Sequence, residues 1–382
     1  MRILVVFHDS NIKSGATASM IDLIDSWERC HSDLVIESVF PCPGSAASHL
    51  QKMGKKVYFC NYYSIRVPTK TKRLSKAMAN VFAKNIIASF SNIVQILRFR
   101  KQQYDFVYSN TSDIYFGYYL ARAIKVKHIW HIREYGVKDQ DRVQFDGAIG
   151  LTRKLNKSAA IIAISKAIKE HLVFNGVNSD IVNIIYDDVG LDREAYKYKK
   201  NDYSKIKALS CGGIQENKGH LEAIKAIEKL IVQGIDAILL IAGETRVPYY
   251  NVLKEYVRQH KLENRVVFCG FINDMSQLRK ECNIAIIGSY SEAFGRVTIE
   301  AMNSKMVVVG SNSGATPELI KDGETGYLFS LKDVDGIVNS ILSIIKDTSK
   351  ANTIVENAYR YAEQFCMGKA ANMIYDLLKE GS

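Results

Sequence analysis

Ser291-Glu292-Ala293-Phe294-Gly295-Arg296-Val297-Thr298-Ile299-Glu300 sets two carboxylates on either side of a glycine turn that opens a helix. Gly295 can take a backbone angle that other residues avoid, and Arg296 to Ser304 has the apolar rhythm of a helix, so free N–H groups point out at its start. Such an end attracts phosphate. Glu300, between one and two turns further in, can accept hydrogen bonds from both hydroxyls of a ribose, and Glu292 stands nearer any attached sugar. Taken alone, the two glutamates read equally well as solvated charges at an ordinary helix start, where acidic side chains favour the dipole.

Outward from this stretch, short apolar runs alternate with helical patterns. Ile3 to Phe7, Leu34 to Phe40, Lys56 to Phe59, Asp105 to Tyr108, His128 to His131 and Ala160 to Ile164 are strand candidates, with helical segments such as Ser19 to Trp27 and Ser165 to Asn175 between them. A second series follows at Lys205 to Leu209, Ala237 to Ala242, Val266 to Cys269, Ile284 to Ile287 and Val307 to Val309, interleaved with helices at Leu221 to Gln233, Tyr249 to His260 and Met275 to Glu281. This predicts an α/β protein of two doubly wound, Rossmann-like domains, the prior for a chain of 382 residues. The first covers residues 1–190, and the second covers 191–364 after a polar, tyrosine- and lysine-rich linker at Leu191 to Tyr203. Ligands of open parallel sheets bind at the carboxyl ends of the strands, so the chemistry is expected there, along a cleft between the two.

Composition narrows the partners. Seven cysteines, odd in number and without paired metal-ligand spacing, read as reduced thiols of a cytoplasmic protein. No secretory segment is evident at the start, and no apolar run approaches the ~20 residues of a membrane span, so the chain is read as soluble or peripheral at the inner face of the cell membrane. The net charge of +11 concentrates at Arg66, Lys70, Lys72, Arg73, Lys76 and Lys84, with Arg98, Arg100 and Lys101 beyond. No nucleic-acid recognition module accompanies these residues. Met78, Phe82, Ile86, Phe90, Ile93 and Leu97 form a helical stripe, and residues 79–98 are expected to bury it against a sheet. The basic, aromatic segment 62–76, with Tyr62, Tyr63 and Ile65, is the expected contact with an anionic membrane surface, against the alternative of a solvated loop.

Two further motifs flank the opening stretch: Cys211-Gly212-Gly213-Ile214-Gln215-Glu216-Asn217-Lys218-Gly219 upstream and Ser313-Gly314-Ala315-Thr316-Pro317-Glu318 downstream. In this order the three motifs resemble those of the retaining GT-B glycosyltransferases of family 4. The resemblance is strong over residues 205–330 and looser before 190. It implies transfer of a hexosyl or N-acetylhexosaminyl group from a nucleoside diphosphate sugar, most readily a UDP-sugar, to a glycan or lipid-linked acceptor, with no metal. It also implies a C-terminal helix, within 365–382, that returns to the first domain.

On this resemblance His131, Glu292 and Lys218 are catalytic. His131 and Glu292 hold sugar hydroxyls, and Lys218 faces the departing diphosphate. Donor contacts fall on Gly15, Gly213, Lys218, Phe271, Phe294, Gly295, Arg296, Val297 and Glu300. Gly314 and Glu318 serve structure. Two departures stand out: many relatives carry arginine where Gly213 stands, and they commonly carry a paired glycine near Gly15. Either Arg296 or Arg133 then supplies the missing charge, Arg133 otherwise serving an anionic acceptor, or Lys218 and backbone N–H groups hold the diphosphate alone. The same departures motivate a second reading, a non-catalytic GT-B module that binds nucleotide sugar or a partner transferase.

Overall fold

The computed structural model describes residues 1–381 apart from Lys70, Lys72, Arg73, Asp141, Arg246 and Met367, and apart from the side chains of Asp139 and Gln140. The chain divides into two units, Met1–Asp188 with Gly368–Ser382, and Val189–Met367.

The first unit is built on β1 (Arg2–Val6), β2 (Val35–Phe40), β3 (Lys56–Phe59), β4 (Arg66–Pro68), β5 (Phe106–Ser109), β6 (Lys127–Ile132), β7 (Arg142–Gln144), β8 (Ala160–Ala163) and β9 (Val182–Ile184). Seven of these form one sheet in the order β3-β2-β1-β5-β6-β8-β9, paired in parallel throughout. The central strands are apolar on both faces because helices cover both, as a parallel sheet requires. Ile3, Val5, Tyr108 and Ile129 pack on one side and Leu4, Val6 and Val107 on the other. The returning helix is Lys369–Glu380. It packs on Gly15–Cys30, where the buried Trp27 Nε1 donates to Ala371 O at 2.9 Å and Tyr375 stacks on His31 at 3.8 Å.

Asp188 receives that helix, accepting from Ala370 N–H at 3.2 Å. Burial outweighs its amide hydrogen bonds and pushes its carboxyl up to about 6. A carboxyl whose folded pKa lies above its unfolded value holds its proton more tightly in the native state. The stability it lends is therefore full below about pH 4 and is lost as pH rises through about 6. Asp188→Asn should raise stability by about 1 kcal/mol at pH 7.5, after discounting for solvent screening, and give no gain at pH 4, as read by urea denaturation at the two pH values.

Two sequence expectations fail in this unit, in opposite senses. The stripe at residues 79–98 is not buried against the sheet: Ala88 alone of the helix Leu74–Ser91 is buried, and Phe82, Ile86, Phe90, Ile93 and Leu97 are exposed. Within segment 62–76, Tyr62, Ile65 and Arg66 are buried and so are withdrawn from any membrane contact. The cause is an antiparallel ribbon of β4 with β7 that draws Arg66 inward. Its guanidinium lies 3.2 Å from Asp113 and 3.1 Å from Glu134, and Tyr62 Oη donates to Phe7 O at 2.7 Å. Tyr63 and Lys76 are exposed; Lys70, Lys72 and Arg73 lie outside the described residues.

The second unit contains β10 (Ile206–Cys211), β11 (Ala237–Ala242), β12 (Val266–Gly270), β13 (Ile284–Ile287), β14 (Val307–Ser311) and β15 (Tyr327–Phe329). Their order, β12-β11-β10-β13-β14-β15, is all parallel and is the 3-2-1-4-5-6 arrangement of a dinucleotide fold. Strand order reverses between β10 and β13, the place in open α/β sheets where ligands bind at the carboxyl ends of the strands.

Candidate active site

Two of the three motifs leave β10 and β13, the strands at that reversal. Glycines let the two loops touch backbone to backbone. A Cβ on Gly219 would lie 2.2 Å from Gly288 O, and in the loop after β11 one on Gly243 would lie 1.8 Å from Gly212 O. Tyr290 N–H closes the contact by donating to Asn217 O at 2.9 Å. The result is an ion pair between loops far apart in sequence, Lys218 Nζ to Glu292 Oε2 at 3.1 Å, with both side chains partly buried. The downstream motif fixes the carboxylate's backbone. Gly314 has φ +58°, a Cβ there would sit 2.4 Å from Glu292 O, and Ala315 N–H donates to that oxygen at 2.8 Å. Gly314 therefore sits in a tight turn against the Glu292 backbone. Gly213, beside Gly212, is half-buried.

The helix that follows Gly295 runs Arg296–Asn303. Gly295 caps it at φ +101° with no side-chain acceptor, a backbone angle that strains any L side chain, and a Cβ there would press on Leu319 Cδ1 at 2.8 Å. Glu300 accepts from Arg296 Nε at 3.2 Å through Oε1 and from Arg279 Nη2 through Oε2. Arg279, on the helix Ser276–Glu281, is buried, and sequence reasoning missed it. No local pattern links it to a carboxylate 21 residues on; only the packing of that helix beside β10 joins them. Arg296, proposed from sequence as the replacement cation, is turned along its own helix toward Glu300. Phe271 follows β12 and is half exposed, Val297 is half-buried, and Phe294 is buried with its ring edge-on to Phe365 at 6.1 Å.

In the first unit the order reverses between β1 and β5. His8 Nε2 lies 3.0 Å from Asp9 Oδ2, and Thr17 Oγ1 donates to Asp9 Oδ1 at 2.8 Å. Burial works against both charges, yet the pair's hydrogen bond and mutual attraction prevail: Asp9 falls to about 2 and His8 is raised. They line a polar cavity of about 540 Å³ with Gly15, Asp113, Arg133 and Glu134. Gly15 opens its helix with open space where a Cβ would go, so packing does not demand glycine there.

His131 is fully buried on β6. Its Nδ1 lies 2.8 Å from Tyr108 Oη and 3.1 Å from Arg133 Nη2. Arginine only donates, so Nδ1 accepts and the proton sits on Nε2, 3.6 Å from Asp187 Oδ1. Burial, reinforced by Arg133, depresses its pKa well below the usual histidine range, so His131 is a neutral hydrogen-bond donor. Arg133 is committed to Asp187 and to Asn110 Oδ1, the latter at 2.8 Å. Among the described residues, no group of three or more His, Cys, Asp or Glu is placed to hold a metal ion, and no helix is long and apolar enough to cross a membrane.

These features agree with what known proteins look like. Residues 192–361 match the model of the family described as glycosyl transferases group 1. The chain is similar to N-acetyl-alpha-D-glucosaminyl L-malate synthase of Bacillus anthracis, 26% identical over 52% of this chain and 54% of that one. It is also similar to the lipopolysaccharide core biosynthesis mannosyltransferase LpcC of Rhizobium leguminosarum bv. viciae, 29% identical over 43% and 47%. The chain thus spans about half the length of the curated relatives it matches. Its fold matches that of Anabaena HepE solved with UDP, with TM-score 0.79, 22% identity and all of both chains covered. With its glycine-lined loops converging at the strand reversal, the second unit matches the group 1 glycosyl transferases over residues 192–361, and the chain carries the GT-B fold.

Proposed function

We propose that the chain is a retaining glycosyltransferase, moving a hexosyl or N-acetylhexosaminyl group from a UDP-sugar to a glycan or lipid-linked acceptor in bacterial-type polysaccharide or glycoconjugate synthesis, at the cytoplasmic face of the cell membrane. The observation that carries this reading is the pairing of Lys218 with Glu292 at the carboxyl ends of β10 and β13. It puts a mobile cation and a sugar-binding acid within one hydrogen bond of each other. That HepE was solved with UDP and with UDP-glucose supports the choice of nucleotide.

The bond from the sugar's C1 to the diphosphate oxygen breaks as the acceptor oxygen bonds C1 on the same face, and the acceptor proton passes to the departing phosphate oxygen. Negative charge builds on the diphosphate. Lys218, released from Glu292, meets it together with the N–H groups at the start of the Arg296–Asn303 helix, so positive potential is already in place where charge develops. Glu292 then accepts from a sugar hydroxyl and Glu300 from the ribose hydroxyls, while His131, in the first unit, is a fully buried neutral imidazole. Lys218 and the backbone N–H groups serve in place of a metal ion.

The test is proton NMR of UDP-glucose, UDP-galactose and UDP-N-acetylglucosamine incubated with the protein and EDTA. One donor should be consumed, with UDP and the α-anomer of the sugar appearing first. UDP binding with every donor intact would leave a non-catalytic nucleotide-sugar module; neither binding nor turnover would remove the reading altogether.

A further inference from the structure

The helices Leu74–Ser91 and Ile93–Arg100 carry an apolar face that the fold leaves open. Ile87 is 70% exposed, Phe90 69% and Val94 70%, and Phe82, Ile93 and Leu97 are exposed as well. Helices of globular domains spend such residues on the core, and an exposed run of this length marks an interaction surface. Lys84, Arg98, Arg100 and Lys101 are exposed on the same two helices and just beyond. At the root of this face, below Phe82 and Ile86, an apolar cavity of about 210 Å³ is also lined by Tyr119 and Phe145.

Charge identifies the occupant. The two helices and the linker between them contain no aspartate or glutamate, and Lys84, Arg98, Arg100 and Lys101 on and just beyond them are exposed. A second copy seated on this face would bring like charge to like charge. An anionic bilayer offers what the face lacks: hydrocarbon for the phenylalanines and isoleucines, and phosphate for the cations, whose stems lie along the apolar surface while their heads reach the headgroups. Since no described helix can span, the pair lies in the interface plane.

We propose that this helix pair docks the first unit on an anionic lipid membrane, with Ile87, Phe90 and Val94 entering the headgroup boundary and the cavity beneath Phe82 open to a lipid hydrocarbon chain. This relocates the membrane contact from segment 62–76. It goes beyond the transferase reading and stands or falls separately from it, because none of these residues belongs to the donor site.

Co-sedimentation with phosphatidylcholine vesicles, with and without phosphatidylglycerol, tests it. The full chain should pellet with anionic vesicles and remain in solution with neutral ones. Ile87→Ser/Phe90→Ser/Val94→Ser and Lys84→Gln/Arg98→Gln/Arg100→Gln/Lys101→Gln should each weaken binding about tenfold or more. Raised salt should release the apolar variant more readily than the wild type. Circular-dichroism melts and UDP binding should be unchanged in both variants, which separates lost docking from lost folding and from failure of the donor site. A wild type that stays in solution with anionic vesicles, a triple-serine variant that binds as well as the wild type, or a concentration-dependent dimer abolished by those serines without vesicle binding would each overturn the proposal.

Discussion

Lys218→Ala should keep the fold and lose about 10²–10³ in kcat, the usual cost of removing one preorganised group that meets charge developing in the transition state. The side chain is partly exposed and its stem lies along Gly212, so truncation opens no cavity and leaves the ion-pair partner, Glu292, in contact with solvent. Thermal stability should therefore change little. The kinetic signature is specific: kcat and kcat/KM should fall together, because the lysine contributes more once the diphosphate carries its full charge than while the donor is intact. Lys218→Arg should recover only part of the rate, since a rigid planar fork cannot replace a point charge leaving a 3.1 Å pair with Glu292. Steady-state release of UDP measures both variants against the wild type.

The second large effect is expected at Arg279. Its guanidinium and the Glu300 carboxylate are both largely buried, and removing one partner leaves the other charged without its counter-ion. Arg279→Ala should cost about 2–3 kcal/mol of stability, at the lower end for a broken buried pair because Arg296 still reaches Glu300 Oε1 at 3.2 Å. It should also weaken UDP binding about tenfold, because a carboxylate that accepts from ribose hydroxyls must first be aimed. Glu300→Ala should weaken UDP binding by at least as much while leaving kcat at saturating donor close to normal. Adding Arg279→Ala to Glu300→Ala should then cost little more, the signature of two residues acting as one unit. Arg296→Ala, which removes only the more exposed of the two cations, should be the mildest of the set. Calorimetric UDP titrations combined with urea denaturation check the cycle.

How much of this was legible in the sequence depends on whether the deciding interaction was local. The buried central strands announce themselves as Val and Ile runs, and Gly295 with Gly314 marks backbone positions that a side chain would block, so the second unit and its loops follow from spacing. The three-residue strands β4, β7, β9 and β15 are too short to show a period, and with β4 and β7 went the ribbon that buries Arg66. Periodicity shows which residues of Leu74–Ser91 share a face; it does not say whether another element covers that face. Arg279 was invisible for a related reason. A buried ion pair between two helices is set by tertiary packing, and nothing in the residues around Arg279 distinguishes it from a surface arginine.

The proposed transfer requires a nucleoside diphosphate to be held at the carboxyl ends of β10 and β13 through Lys218 and neighbouring backbone groups without a metal ion. Calorimetric titration of UDP in EDTA, with wild type and Lys218→Ala side by side, tests it most directly. The wild type should show saturable binding that added Mg²⁺ leaves unchanged, and the variant should bind about tenfold or more weakly. Equal UDP affinity in both proteins, or wild-type binding that appears only with Mg²⁺, would contradict it.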